Sequence, residues 1–312
     1  MLTAQSARRS HAPAPAHKAR QVLIAGGETD PNLLSLLRRA RERDLPVLPL
    51  LTGPDRTPAL TWDVQADTLL VDGREVRPGA GFMRYDVFHA LADRRPSVSF
   101  RAQAWYTTLH GWMLAHDGVR MMNRRYAGQV NKPFMLSLAA ACGLRIPRTR
   151  ITNHLDDLER LPDAAGMIAK PVPGGGYTRM VGELLRTTDR RGGRSAAPAF
   201  VQQRLVSPEV RIYGVGGRFI PFDVISEKLD YRADGDARVE PRPLHTIDSA
   251  VIASLARLMD RLGMEYGAAD FKTDAQTGEL VFLEINSGPM FVAFDRASGY
   301  AVSDAILDYL VV

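Results

Sequence analysis

Residues 266–286 read YGAADFKTDAQTGELVFLEIN, two apolar runs separated by a polar turn. Short apolar runs bounded by Asp, Gln, Thr and Gly are typical of paired strands, so the pattern predicts a hairpin with strands over 266–273 and 280–286. Alternate side chains of a strand point to the same face. The face that carries the polar groups of the second strand therefore holds Phe282, Glu284 and Asn286.

The pairing of these strands follows from the length of the turn. If residues 275–279 form the connecting loop, Asp274 pairs with Leu280, and counting back along both strands places Asp270 opposite Glu284. Directly opposed residues of an antiparallel pair point to the same side of the sheet. The prediction is a patch that joins two carboxylates to one amide oxygen.

Two carboxylates this close repel each other unless a cation lies between them. Hard oxygen ligands suit Mg²⁺, which takes one or two carboxylates from a protein and further oxygens from substrate phosphates. An amphipathic hairpin with two independent surface acids would show the same residues, so the hairpin alone leaves both interpretations open. A choice between them needs phosphate-binding residues elsewhere in the chain.

Two lysines lie in settings that favour phosphate. Lys170 ends a short apolar run and is followed, after Pro-Val-Pro, by three glycines at 174–176. Consecutive glycines leave backbone N–H groups free to approach phosphate oxygens and can form a mobile lid, although a plain flexible connector has the same composition. Lys132 stands at a predicted helix start, where the helix dipole favours anions; a solvent-exposed lysine is the alternative.

The composition narrows the class of protein. The chain has 312 residues, is 45% hydrophobic and 24% charged, and contains no apolar stretch of the roughly 20 residues that a membrane helix needs. Lys and Arg number 40 against 35 Asp and Glu, and four of the basic residues fall in 1–20, which has no acid. The remaining body carries 36 basic against 35 acidic residues, a balance that disfavours a nucleic-acid surface.

Two further features concern the setting of the protein. Residues 1–20 are rich in Ala, Pro and Ser and are expected to be a disordered tail. Cys142 is the single cysteine of the chain, so no internal disulfide is expected. A reducing, cytoplasmic location is the prediction.

The N-terminal part predicts a small α/β lobe. An apolar strand over 22–25 runs into Gly26-Gly27, a helix has Pro31 in its first turn, and a second strand covers 46–51. The glycine pair lacks the full GxGxxG pattern of a phosphate loop and is interpreted as a plain turn. A helix is expected around 101–115; whether it covers the core or docks a substrate is open from the sequence.

From Asn123 onward, punctuation by Gly, Pro and capping residues is regular. The pattern predicts helices over 132–141, 247–262 and 301–310, and a short helix capped by Asn153 or Asp156. It predicts strands over 147–152, 167–170, 200–203, 209–215 and 218–226, of which the last two form a hairpin across Gly216-Gly217.

The order of these motifs is similar to that of the ATP-grasp superfamily. The chain most resembles the branch that holds ribosomal-protein glutamate ligases and graspetide (microviridin-type) peptide macrocyclases. The segments that carry the resemblance are NKPFMLSLAAACGLRIPRTRITN (131–153), IAKP (168–171), FVQQRL (200–205), EVRIYGVGG (209–217), DYR (230–232), GAADF (267–271) and VFLEIN (281–286). Each segment is short, and their order and spacing together carry the resemblance.

The resemblance implies a fold and its division. It implies an α/β (α+β) protein of ATP-grasp fold, in which residues 21–122 form a pre-ATP-grasp α/β lobe and residues 123–312 form the ATP-grasp domain. Within that domain, a central lobe (123–205) and a C-terminal lobe (206–312) would clasp ATP between them.

The resemblance also implies roles for individual residues. Phosphate binding would fall to Lys132, Lys170, Gly174, Gly175 and Gly176, and adenine recognition to the hinge Gln202, Gln203, Arg204 and Leu205. Arg211 would face the transferred phosphoryl group, and Arg232 the acyl-phosphate or the acceptor. Asp270, Glu284 and Asn286 would hold a pair of Mg²⁺ ions, for which Mn²⁺ could substitute. The family often has an acid for the ribose after the first hinge glutamine, where this chain has Gln203.

The activity implied by the resemblance is ATP-dependent ligation. A carboxylate would attack the γ-phosphate of ATP, and an amine or hydroxyl would then displace phosphate from the acyl-phosphate. A precursor peptide is one candidate substrate, and a homodimer is left open. The alternatives are coupling of a free amino acid to a small-molecule amine, phosphoryl transfer that stops at a phosphorylated product, and a nucleotide-binding module without catalysis.

One segment departs from the family pattern. After Asn286 the macrocyclases usually continue with a polar, tryptophan-bearing stretch, whereas this chain has SGPMFVAFD at 287–295. In the superfamily this segment lies beside the acceptor site, which leaves open a substrate other than a graspetide precursor. Met290, Phe291 and Phe294 are interpreted either as acceptor-site residues or as core residues.

Overall fold

The computed structural model describes residues 21–126, 128, 131–173, 178–226 and 238–312. Four residues given a site role above, Gly174, Gly175, Gly176 and Arg232, lie outside the described residues, as does the tail 1–20. The described part of the chain forms four β-sheets and the helices that cover them.

The first sheet is parallel and has the strand order β2-β1-β6-β7. Its strands are β1 (Val22–Gly27), β2 (Val47–Thr52), β6 (Ala80–Met83) and β7 (Arg120–Met121). Val22 to Ala25 are fully buried, as expected for a central parallel strand covered on both faces. Helix α1 (Pro31–Glu42) follows β1 and is capped by the side chain of Asp30. The strand order reverses between β1 and β6, since the chain places β2 on one side of β1 and β6 on the other.

A small antiparallel sheet and two helices of this lobe were not fully predicted. The sheet contains β3 (Leu60–Asp63), β4 (Thr68–Val71) and β5 (Arg74–Glu75), and the helices are α2 (Val87–Ala92) and α3 (Pro96–Ala115). Helix α3 begins at Pro96, earlier than expected, because proline is well tolerated in a first helical turn. Trp112 and Met113 of α3 pack with Leu69 of β4, so this helix covers the core.

The second large sheet is antiparallel, with the order β10-β9-β11-β8. Its strands are β8 (Thr149–His154), β9 (Ile168–Pro171), β10 (Arg179–Met180) and β11 (Arg194–Gln202), and its helices are α4 (Lys132–Ala141), α5 (Leu155–Glu159) and α6 (Val181–Thr187). The expected cap of α5 is wrong. The helix begins after His154 without a side-chain cap, because Asn153 belongs to β8 and donates to the carbonyl of Ser195 at 3.2 Å.

The third large sheet is antiparallel and has the order β14-β13-β12-β15-β16. Its strands are β12 (Val206–Val215), β13 (Arg218–Ile225), β14 (Arg238–Pro241), β15 (Tyr266–Thr273) and β16 (Leu280–Asn286). The accompanying helices are α7 (Ser249–Leu262), α8 (Val292–Ser298) and α9 (Ala301–Val311). Helix α7 ends at Gly263, whose φ of 65° is left-handed, as the sequence predicts for a C-terminal cap. Across the described ranges, no helix has the length and apolar character needed to span a bilayer.

The first and third sheets share one hydrophobic core. Ile24 of β1 and Leu33 of α1 belong to the same buried cluster as Tyr213 of β12, Phe291 and Ile306 of α9. A second cluster joins α4 and α7 to the opposite face of the third sheet. The N-terminal lobe is therefore packed directly against the sheet that carries the terminal hairpin.

A seam of charged groups runs between α1 and α9. Asp304 accepts hydrogen bonds from Arg39 at 2.8 and 2.9 Å and from Arg43 at 3.0 Å. Asp308 accepts one from Arg43 and one from Arg218 of β13, each at 2.6 Å. The hydrogen bond from the Arg39 guanidinium is the largest cause that lowers the pKa of Asp304 below its ordinary value.

Acid is expected to loosen this seam. Because the folded-state pKa of Asp304 lies below the unfolded-state value of about 3.9, its contribution to stability is present above that value and is lost as the pH falls through the folded-state pKa. Between about pH 6 and about pH 3, Tm followed by circular dichroism should fall less for Asp304→Asn than for the wild type. The Tm of the control variant Asp55→Asn, whose side chain lies on an exposed loop, should fall as much as the Tm of the wild type. Equal losses for Asp304→Asn and the wild type would show that the seam adds no stability.

Candidate active site

The terminal hairpin places Asp270 opposite Glu284, as expected, but through a different register. Thr273, rather than Asp274, pairs with Leu280, so the connecting turn is one residue longer than expected. A β-bulge then compensates, because Leu283 has no partner between the Asp270–Glu284 pair and the next pair along the strands.

The bulge also changes which side chains of β16 share a face, so the predicted face is wrong at Phe282. Phe282 was predicted to share a face with Glu284, but it packs in the buried cluster that contains Ile285 and Phe271. Strict alternation fails at the bulge, where one extra residue turns the strand over. The polar face of β16 therefore holds Glu284 and Asn286 without Phe282.

One row of charged side chains crosses three adjacent strands of the third sheet. Arg211 of β12 is paired with Asp270 of β15, which is paired with Glu284 of β16. Arg211 donates to both carboxylate oxygens of Asp270, from Nε at 2.7 Å and from Nη2 at 2.8 Å. The two side chains are only 11% and 7% exposed. Such a buried two-pronged pair holds both groups in one orientation.

Lys132 reaches the same row from the beginning of α4. Its ammonium group donates to Oε2 of Glu284 at 2.8 Å, and both side chains are partly exposed. The helix begins here because the side chain of Asn131 accepts a hydrogen bond from the N–H of Phe134 at 3.0 Å. The structure thus joins the predicted phosphate lysine to a predicted metal ligand across 152 residues of sequence.

A second ion pair lies beside this row and was missed by the sequence analysis. Glu209 and Lys272 are paired in the register of β12 and β15, and Lys272 Nζ is 3.2 Å from a carboxylate oxygen of Glu209. Burial raises the pKa of Glu209, which the Lys272 ammonium partly offsets. The available signal was the spacing, since Glu209 and Arg211, and likewise Asp270 and Lys272, are opposite charges two residues apart in apolar strands.

The donor set of this face fits a magnesium ion. Asn286 is exposed and pairs with Ala268, one row beyond Glu284. Each carboxylate oxygen of Asp270 accepts one hydrogen bond from Arg211. Each oxygen therefore keeps a further lone pair that could bind a metal. Two carboxylates and one amide oxygen are hard ligands, and Mg²⁺ usually completes such a set with substrate phosphates.

The hinge residues lie where the second and third sheets meet. Gln202 is buried at the end of β11 and donates to the Thr149 hydroxyl at 2.9 Å. The side-chain amide of Gln203 accepts from the N–H of Arg148 at 2.8 Å and donates to Asp274 at 2.9 Å. Both ends of that amide therefore tie the hinge to its neighbours, including the turn of the terminal hairpin.

The other predicted nucleotide residues also belong to this region. Lys170 lies in β9, paired with Phe200 of β11 on the second sheet. Arg204 is exposed and Leu205 is buried in the short link between β11 and β12. The described contacts bring Lys132, Arg211, Asp270 and Glu284 together, whereas Lys170 and Gln202 lie on the second sheet.

The N-terminal lobe holds the segment that follows Asn286. Arg84, directly after β6, donates to the carbonyl oxygens of Pro289 at 2.7 Å and Gly288 at 3.3 Å. Its Nε donates to Asp30 at 2.8 Å, and this pair is buried, with Asp30 fully inaccessible. Asn32 accepts the N–H groups of Phe291 and Val292, at 2.7 and 2.9 Å.

Two tyrosines of the third sheet bind the same segment and, together with Arg84 and Asn32, form a clamp on residues 288–292. Tyr266 donates its hydroxyl to the carbonyl of Pro289 at 3.2 Å, and Tyr213 donates to the carbonyl of Met290. Burial raises the pKa of both tyrosines, so each remains a neutral donor. Of the residues with two open interpretations, Phe291 and Phe294 belong to the shared core, while Met290 is 46% exposed.

Comparison with known proteins agrees with this architecture. No protein-family model and no curated protein matches the chain. Among solved structures, the ATP-grasp ligase PsnB, complexed with a phosphomimetic variant of its minimal precursor, Mg and ADP, is 26% identical, with a TM-score of 0.71 over 93% of this chain and 97% of that chain. The chain has the fold of the ATP-grasp ligases. The fold implied by the sequence resemblance is thereby confirmed.

More distant structures share the fold of the ligase. The macrocyclase MdnC from Microcystis aeruginosa MRC, bound with its precursor peptide MdnA, is 20% identical, with a TM-score of 0.67 over 93% of this chain and 99% of that chain. The VanG D-Ala:D-Ser ligase from Enterococcus faecalis is 13% identical, with a TM-score of 0.58 over 95% and 100%. At these identities the likeness concerns the fold alone.

Proposed function

We propose that this ligase uses ATP and magnesium to join a carboxylate to an amine or a hydroxyl through an acyl-phosphate. The observation that carries the proposal is the row of Arg211, Asp270, Glu284 and Lys132, which sets two carboxylates between two cations on one sheet face, buried at Arg211 and partly exposed at Lys132. Such a row suits a metal-bound polyphosphate, because the carboxylates hold the metal and the cations face phosphate oxygens.

The first step needs relief of charge repulsion. A carboxylate that attacks the γ-phosphate brings two anions together, and catalysis of such a transfer is mostly positioning and electrostatic stabilisation. Lys132 and Arg211 would supply positive charge to the phosphoryl oxygens, and Lys170 would do so from the second sheet. Glu284, Asn286 and Asp270 would hold magnesium, which when bound neutralises the phosphates and orients them.

The second step forms the new bond. The amine or hydroxyl attacks the acyl carbonyl, and the C–O bond to phosphate breaks. Arg232, for which a contact with the acyl-phosphate or acceptor is proposed, lies outside the described residues. The product is an amide or an ester, with ADP and phosphate released.

The substrate we propose is a precursor peptide. PsnB has been solved with its precursor, MdnC with MdnA, and a RiPP-associated ligase of Chryseobacterium gregarium with a leader and core peptide. A free amino acid and a small amine form the second candidate pair, since VanG is a D-Ala:D-Ser ligase of the same fold. A cytoplasmic location would suit the ATP requirement and the buried free thiol of Cys142.

A panel of synthetic peptides separates these candidates. Each peptide carries Asp or Glu together with Thr, Ser or Lys and is incubated with ATP and Mg²⁺. A second panel contains free amino acids in place of the peptides. We expect ADP release to depend on a peptide, and the peptide mass to fall by one water per bond formed. Coupling of free amino acids alone would favour the small-molecule alternative, and a stable phosphorylated product would contradict ligation.

A further inference from the structure

The strand order of the first sheet reverses between β1 and β6, and in open parallel sheets the loops that follow two such strands diverge to form a crevice. In open parallel sheets, ligands bind outside the carboxyl ends of the strands at such a switch point. Here the strands are β1 and β6, followed by Glu28 to Asp30 and by Arg84 to Asp86 respectively. The chemistry described above does not use the ionisable groups at this edge, apart from the clamp by Arg84 and Asp30.

A carboxylate and an imidazole form a tight pair in this crevice. Asp86 Oδ2 lies 2.6 Å from His89 Nδ1, and the side chains are 5% and 12% exposed. Gly27 makes the approach of the carboxylate possible, since a Cβ at this position would overlap the carboxyl group of Asp86. Because the carboxylate accepts the Nδ1 proton, the imidazole is held with its Nε2 lone pair directed away from Asp86.

The Nε2 atom lies next to Thr29, beside the clamp. It is 3.4 Å from the Thr29 hydroxyl, too far for a strong hydrogen bond. Thr29 is adjacent to Asp30, which binds Arg84, and Arg84 binds the carbonyl groups of Gly288 and Pro289. A continuous set of contacts therefore leads from the imidazole to the segment directly after the predicted metal ligand Asn286.

Among the described residues, the row of Arg211, Asp270, Glu284 and Lys132 contains no group of this kind. The attacking amine or hydroxyl must lose a proton, and the charged row offers no base for it. Lys132 and Arg211 are cations, and the carboxylates of Glu284 and Asp270 are bound to them. An imidazole whose second nitrogen is fixed by a carboxylate is a well-suited general base.

We propose that His89, oriented by Asp86, is the general base for the acceptor, an alcohol or amine that binds in the crevice between β1 and β6. This inference rests on the ligase function proposed above. The acceptor proton passes to His89 Nε2 as its oxygen or nitrogen forms the bond to the acyl carbon. The C–O bond to phosphate breaks with its electron pair, and the imidazolium then returns the proton to the released phosphate.

The two half-reactions can be measured separately to test this role. Hydroxylamine captures acyl-phosphates without a base, so hydroxamate formation from the peptide panel reports the first step alone. For His89→Gln we expect hydroxamate formation close to wild type, while the ligated peptide forms about 100- to 10,000-fold more slowly. A second variant, His89→Ala, should recover part of the product formation when imidazole is added, which a purely structural role would not allow.

His116→Gln is the matched control. His116 also pairs with an aspartate of the same lobe, Asp67 at 2.7 Å, but it lies at the end of α3 and not in the crevice. It should leave both rates unchanged. Wild-type ligation by a folded His89→Gln, or loss of hydroxamate in that variant, would overturn the assignment. A wild-type enzyme that forms neither product nor hydroxamate would overturn the ligase function itself, and this inference with it.

Discussion

Glu284→Ala is expected to lower the rate of ADP release in the presence of peptide by about three orders of magnitude. The reason is that Glu284 is the predicted metal ligand that also contacts Lys132, so its removal takes away one metal carboxylate and frees the lysine from its position. A bound metal contributes several kcal/mol of charge stabilisation in a transition state, and each 1.36 kcal/mol corresponds to about a factor of ten in rate. The measurement is single-turnover ADP release at saturating ATP and Mg²⁺.

The neighbouring Glu279 provides the control for this variant. It lies in the turn of the same hairpin and forms an ion pair with Arg145 at 2.6 Å, but it is outside the charged row. Glu279→Ala should keep wild-type turnover, and neither variant should change Tm greatly, since both side chains are partly exposed. Full turnover by Glu284→Ala would contradict the role of Glu284 as a metal ligand. The fold assignment would not be affected.

The sequence predicted the terminal hairpin for reasons that were only partly correct. Both strands have the expected bounds, and Asp270 does lie opposite Glu284. Two errors cancelled, because the turn is longer by one residue and the bulge at Leu283 restores the pairing. Turn length and bulges depend on local hydrogen bonds, here the capping of the turn by Asp274, that hydrophobic alternation does not report.

The contacts between lobes were beyond the reach of sequence patterns. Asn32 binds the N–H of Phe291 across 259 residues, and Arg84 binds Pro289 across 205. A side chain that binds a distant backbone group leaves no periodic signal in its own segment. The Asp86–His89 pair is local, but its meaning depends on the switch point between β1 and β6, which exists only once the strand order is known.

Motif order succeeded where individual motifs were ambiguous. Lys132 alone resembled a solvated lysine, and Glu284 alone a surface acid, yet the structure joins them in one ion pair. The small sheet of β3 to β5 shows the opposite case. Its strands have two to four residues, too short for alternation to stand out from a loop, and they gain their stability from packing under α3.

Arg84→Met is expected to lower the free energy of unfolding by about 3–5 kcal/mol, because it leaves Asp30 as a buried charge without its partner. The variant also removes the donor for the carbonyl groups of Gly288 and Pro289. Urea denaturation should therefore show a lower midpoint with an unchanged slope. Arg77→Met, which removes an arginine from an ion pair that is mostly exposed, should leave the midpoint unchanged.

A double variant distinguishes the buried charge from the lost clamp. Asp30→Asn combined with Arg84→Met removes the unpaired carboxylate, while asparagine can still cap α1. We expect the double variant to recover part of the stability lost in Arg84→Met, since the cost of an isolated buried charge is gone. The carbonyl groups of Gly288 and Pro289 still lack their donor, so recovery should be incomplete. No recovery would mean that the loss comes from the clamp on this segment, and a wild-type midpoint for Arg84→Met alone would contradict the clamp altogether.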